Sequence, residues 1–261
     1  AGDGGALHLP TDDGLNIRAV ALVAGAWFLA FAIPMFIGVP EIAADPDRPP
    51  RLGVLGSYRK LVTDLRGIWR RDRHTVFFLL ASALYRDGLA AVFTFGAVLA
   101  VAVYGIDAGD VLIFGVAANV VSALGALSGG WLEDRIGPKP VIIGSLLGML
   151  AAGLVLLFVS GPLMFWVFGL FLTLFVGPAQ SSSRTFVTRL AEPGREGELF
   201  GLYATTGRAV SFLAPTLFGV FTSIFAAERA GIVGILLVLA AGVVAIWPVR
   251  APAHAAAQRA A

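Results

Sequence analysis

Seven long apolar runs separated by short polar segments leave very few folds open to this chain. The runs cover residues 17–39, 74–104, 109–132, 141–160, 163–187, 199–225 and 231–248. About 20 apolar residues in an α-helix span the roughly 30 Å of a bilayer's hydrocarbon core. A backbone in lipid must also satisfy its own hydrogen bonds, which selects helices for runs of this kind. With 57% hydrophobic and 14% charged residues and a mean hydropathy of +0.84, an ordinary soluble domain is excluded. The expected fold class is an all-α integral membrane protein with seven transmembrane helices.

The net charge of +2 and pI of about 9.3 do not point to nucleic acid, because the basic residues lie between the apolar runs and form no stripe on a folded face. They report topology instead. Arg48, Arg51, Arg59, Lys60, Arg66, Arg70, Arg71, Arg73, Arg135, Lys139, Arg189, Arg195, Arg250 and Arg259 all fall in alternate loops or the tail. By the positive-inside rule those segments face the cytoplasm, as does the C-terminus, and Ala1 begins on the opposite side. The expected location is a bacterial inner membrane. There is no cysteine, and His8, His74 and His254 lie outside the runs or at their edge, so no catalytic group, metal site or cofactor is expected. No basic segment precedes the first run, which is not read as a signal peptide.

Between the third and fourth runs stands GGWLEDRIGPKP, residues 129–140. It reads as a charged hairpin in which Gly130, with Gly125 and Gly129 before it, lets helices pack closely, Asp134, Arg135 and Lys139 reach water, and Gly137 and Pro138 turn the chain. The pattern G-x-L-x-D-R-x-G-x-K, carried by Gly130, Leu132, Asp134, Arg135, Gly137 and Lys139, resembles the signature of the major facilitator superfamily of secondary transporters. Pro138 stands where that superfamily usually has a basic residue. The resemblance implies a six-helix transporter half at 74–248, one preceding helix at 17–40, and an N-terminal half as the missing partner. It also implies that Asp134 contacts a helix end in that other half and so helps to gate the transporter.

Three further stretches, WFLAFAIPMFIGVPE at 27–41, FFLLASALYRDG at 77–88 and GPAQSSSRTFVTRLAEPGREGELFGLYATTGRAVSFLAPTLFG at 177–219, resemble the family of fungal vacuolar amino-acid effluxers of autophagy and their bacterial relatives. That likeness implies transport of small solutes, amino acids among them. A non-transporting scaffold or half-unit assembling with another chain is the competing reading.

The remaining segments divide simply. Residues 1–16 are rich in Gly and Asp and read as a mobile non-cytoplasmic segment; 41–73 is a cytoplasmic loop; 249–261 is a cytoplasmic tail. Within the loop, Leu55, Tyr58, Leu61, Val62, Leu65, Ile68 and Trp69 recur at helical spacing opposite Arg59, Lys60, Arg66 and Arg70, predicting an amphipathic helix on the bilayer surface.

Ionisable residues inside spans are costly and mark pathways or partners. Arg86, Asp87 and Arg208 fall near mid-span by helical rise, with Asn119 at similar depth. They are the expected pathway for substrate or coupling ion, with Gln180 at its inner mouth. Asp87 and Arg208 are expected to form a charge-compensated pair. Gly177-Pro178 and Ala214-Pro215 are expected helix breaks.

Overall fold

The computed structural model describes residues 15–39, 53–192 and 194–250. The expectations for the N-terminal segment, for the first part of the cytoplasmic loop (residues 41–52), and for the tail beyond 250 lie outside them. The chain divides into two units, 1–54 and 55–261. In the first, α1 (Leu15–Gly38) is a single apolar helix containing Pro34. Its described side chains are almost all exposed.

In the second unit, α2 (Val54–Arg71) has the predicted two faces. Leu65 and Ile68 pack against the helical core and Trp69 meets the Phe77 ring, whereas Arg59, Lys60, Arg66 and Arg70 are exposed. The helix thus uses part of its apolar face on the bundle. Asp72 then starts α3 (Arg73–Ala102) by accepting hydrogen bonds from the His74 N–H at 2.9 Å and the Thr75 hydroxyl at 2.7 Å.

After α3 come α4 (Ala108–Ile136), α5 (Pro138–Phe158), α6 (Pro162–Leu174), α7 (Val176–Leu190), α8 (Glu196–Val210), α9 (Leu213–Phe225) and α10 (Gly231–Ile246). With α1, these helices supply seven segments long and apolar enough to cross a membrane; α6–α7 and α8–α9 each form one interrupted crossing. There is no strand among the described residues.

The two interruptions have the same cause. Helix α7 begins after Phe175 and α9 after Phe212, each three residues before a proline, Pro178 or Pro215. Each proline lacks the N–H that would reach back to Leu174 or Ser211, and its ring crowds that carbonyl. The expected breaks are present, displaced toward the N-terminus of each proline.

The segment 129–140 differs from the hairpin expected. Helix α4 continues through Glu133, Asp134 and Arg135 to Ile136, α5 starts at Pro138, and the turn between them is Gly137 alone, with φ +87°. A glycine can hold that dihedral without strain and proline suits the first helical position, so one residue suffices. Gly130 is also not the close-packing position: a Cβ there would meet nothing within 4 Å. The close approach belongs to Gly125 and Gly129, which face Leu174 and Pro178, and to Gly177, which faces the backbone of Ser122. One residue, about 100° of helix rotation, separates Gly129 from Gly130, and only the neighbouring helices decide which of them makes the contact.

Helices α3 and α10 form another close pair. Gly242 lies against Tyr85 and Gly88 against Leu239, so each helix offers a glycine to a large side chain of its partner. At one end of the bundle Lys139 donates to the carbonyls of Trp247 and Val249, both at 2.6 Å, tying the start of α5 to the end of α10.

Candidate functional site

The polar interior of the bundle is built around two adjacent serines of α7. Ser182 and Ser183 are fully buried, and their hydroxyls point to different neighbours because successive helical residues are about 100° apart. Ser183 joins two tyrosines, with its Oγ 2.6 Å from the Tyr85 hydroxyl of α3 and 2.8 Å from the Tyr203 hydroxyl of α8. Ser182 donates to Glu133 Oε2 of α4 at 2.6 Å, and Glu133 Oε1 lies 3.8 Å from Arg189 Nη2. Four helices are therefore held by hydrogen bonds that lipid cannot supply.

Arg86 is half-buried beside this bridge. Its Nη1 donates to the Tyr203 carbonyl at 2.9 Å and its Cζ lies 3.9 Å from the centre of the Tyr203 ring. The guanidinium rests on Gly207, where a Cβ would come within 2.8 Å of Nη1.

Asp87, one residue on, points elsewhere. It is buried, and Oδ2 accepts from the Ala214 N–H at 2.6 Å, meeting the start of α9 just beyond the break. The expected pair with Arg208 does not form: Arg208 is exposed, and no ion pair joins it to Asp87 among the described residues. The carboxylate finds its compensation in a helix N-terminus, whose unpaired N–H groups carry partial positive charge.

The other expected pathway residues are spread over exposed faces. Asn119 is exposed and donates to the Gly115 carbonyl of its own helix at 2.8 Å. Gln180 and Arg184 are exposed one turn apart on α7. In the segment resembling the superfamily signature, Asp134 and Arg135 are exposed, and Arg135 lies over the Trp131 ring at 3.6 Å. The acid that binds this segment to its own bundle is Glu133. Sequence reasoning passed over Glu133, Tyr85 and Tyr203; a second acid beside Asp134 is the only local sign of the first, and nothing local marks the tyrosines.

These roles separate in a mutant comparison. Glu133→Leu strands the Ser182 hydroxyl and the Arg189 cation, and is expected to lower stability by about 1–3 kcal/mol. Asp134→Asn, at an exposed side chain, is expected to leave stability intact. Thermal unfolding of the two purified variants checks both; equal destabilisation would contradict the assignment.

The bundle combines apolar helices, two interrupted crossings and a buried hydroxyl bridge. The fold resembles two structures of the fucose:proton symporter FucP, one of them a point variant of the Escherichia coli protein. The point variant gives a TM-score of 0.62 at 18% identity, covering 89% of this chain and 55% of that one. The second, an outward conformation, gives 0.54 at 16% identity over 89% and 54%. The family described as vacuole effluxer Atg22-like matches residues 7–258, and this chain belongs to it. Similar proteins include the uncharacterized MFS-type transporter YxiO of Bacillus subtilis, 24% identical over 226 residues that cover 85% of this chain and 51% of YxiO. Autophagy-related protein 22 of Cryptococcus neoformans is 24% identical over 245 residues, covering 86% of this chain and 44% of the relative. The chain spans about half the length of the curated relatives it matches.

Proposed function

We propose that the chain is the C-terminal half of a secondary active transporter that moves small solutes by alternating access, working with an N-terminal half that closes the other wall of the pathway. The observation that carries this reading is the break in α8–α9, where Asp87 of α3 holds the start of α9. Interrupted helices whose ends meet polar groups are how secondary transporters build sites within the bilayer. The two breaks supply points at which α6–α7 and α8–α9 can bend as the halves rock, and the Tyr85–Ser183–Tyr203 bridge keeps α3, α7 and α8 moving together. Arg86, Asp87, Asn119, Gln180 and Arg208 line or support the pathway in this reading, with Asp134, Arg135 and Lys139 at its cytoplasmic gate. In this reading the protein sits in a bacterial plasma membrane, and the basic loops support a cytoplasmic C-terminus.

Because the chain has no cysteine, single introduced thiols test the mechanism cleanly, given a complete transporter without other cysteines. Gln180→Cys and Thr216→Cys occupy exposed positions on α7 and α9. An impermeant thiol reagent is expected to reach Thr216→Cys from outside sealed vesicles and Gln180→Cys from inside. A bulky adduct at one position should slow labelling of the other several-fold in the double variant. Equal labelling from one side, with no effect of one adduct on the other, would remove both the topology and the alternating access.

A further inference from the structure

One cavity in the bundle lies apart from the polar bridge. It encloses about 120 Å³ between α3, α4, α5, α6 and α10, so all of its walls belong to this chain. Leu156 of α5, Phe165 and Leu172 of α6 and Ile235 of α10 line it. Gly96 of α3 and Gly115 of α4 border it as well, and a Cβ at either would meet nothing within 4 Å. At Gly153 of α5 and Gly169 of α6 a Cβ would instead strike Leu236 and Phe114. The open space therefore lies toward α3 and α4.

Among the described residues that line the cavity, only Tyr104 and Thr173 carry a polar side chain, and both hydroxyls already donate. The Tyr104 hydroxyl reaches the Leu156 carbonyl at 2.6 Å and the Thr173 hydroxyl the Leu170 carbonyl at 2.9 Å. A buried water needs about two to four polar partners, which this lining does not offer, whereas apolar cavities of roughly 150 Å³ stay dry and admit a benzene ring. Aromatic rings stand at the wall: the ring centres of Phe114 and Tyr104 lie 4.8 and 4.9 Å from that of Phe165, both tilted. A further ring extends such a cluster in the offset and edge-on arrangements that aromatic groups prefer. The cavity also reaches the hinge. Leu172 and Thr173 occupy the last turn of α6, directly before the interruption at Phe175. Bending there changes the space beside α6, and close-packed contents resist the change.

We propose that this cavity is a binding site for one compact, uncharged aromatic molecule of single-ring size, and that its occupant restrains the α6–α7 hinge. Binding stands on the cavity alone; the restraint on motion rests on the transporter reading above. A charged or strongly polar molecule does not suit the site, because the lining has nothing to replace its hydration. The site is separate from Arg86, Asp87, Asn119, Gln180 and Arg208, none of which lines it.

The test uses the complete transporter, with xenon and benzene as probes. Crystals pressurised with xenon should show it beside Phe165 and Gly115, and benzene should raise the unfolding temperature by about 1–3 °C. Ala118→Leu and Gly115→Val each put carbon into the cavity and should abolish both signals. Ala118 is buried in the lining, whereas Gly115→Val builds into open space and keeps the test decisive if the first variant does not fold. In Gln180→Cys, on the helix beyond the interruption, benzene should slow thiol labelling several-fold; in Gln180→Cys combined with Gly115→Val it should not. A benzene shift undiminished by the filling variants would overturn the site. So would the absence of xenon and of any shift in wild type, the result expected if a side chain of the other half occupies the space. Binding without a change in labelling would overturn the restraint and leave the site standing. Failure of the alternating-access test above, with xenon and benzene still bound, would remove the transporter reading and the restraint with it, and leave the binding site.

Discussion

Asp87→Ala is expected to cost the complete transporter about 1.5–3 kcal/mol of stability, the range for a charge-assisted hydrogen bond whose partner is left without an acceptor. The Ala214 N–H stands at the start of a helix inside the bundle, and the carboxylate at 2.6 Å is its partner. Asp87→Asn keeps a carbonyl oxygen in the same place, so folded yield should largely recover while flux does not. Melting temperature by scanning fluorimetry and solute uptake separate the two readouts. Arg208→Gln combined with Asp87→Asn should give losses of stability that add, because residues without a shared contact show little coupling. A strongly non-additive double mutant would restore the pair that the structure does not contain, and equal stability of Asp87→Ala and wild type would remove the capping role.

Gly177→Val is expected to have the largest effect on folding. A Cβ at Gly177 would enter the backbone carbonyl of Ser122 on α4, and a backbone oxygen in the middle of a helix cannot turn aside as a side chain can. Helices α4 and α7 would have to separate, which breaks the Ser182–Glu133 hydrogen bond as well as the packing. Overpacking of this kind costs about 3 kcal/mol or more, enough to empty the monodisperse peak in size-exclusion chromatography. Gly125→Val should behave similarly, since its Cβ would meet the Leu174 carbonyl. Gly130→Ala is the contrast. Nothing lies within 4 Å of that position, and alanine is favoured over glycine within a helix by about 0.5–1 kcal/mol, so folded yield should hold or rise. A Gly177→Val protein that elutes and melts like wild type would show that the two helices are not in the contact described.

The number of membrane crossings, the amphipathic character of α2 and the approximate places where α6–α7 and α8–α9 break were all legible in the sequence. Each depends on residues near one another in the chain. Hydropathy is a transfer free energy summed along a run, an apolar face is a repeat of three to four residues, and a proline disturbs the carbonyl four residues before it. The identities of the polar residues inside the spans were legible for the same reason, since a charge within an apolar run is visible without its neighbours.

Where those side chains point was decided by the tertiary structure alone. Arg86 and Asp87 are adjacent, yet the helical twist sends one to Tyr203 and the other to Ala214. Asp134 carries the superfamily resemblance, yet Glu133 is the residue turned into the bundle to meet Ser182. Of the three glycines Gly125, Gly129 and Gly130 that the sequence offers for close packing, the first two make the contact, together with Gly177, and Gly130 faces open space. A shift of one position along a helix turns a side chain by about 100°, and whether it then meets a donor, a backbone or open space depends on which helix packs beside it. That choice is fixed by the fit of α4 against α7 and of α3 against α8 and α10, which no local stretch of sequence contains.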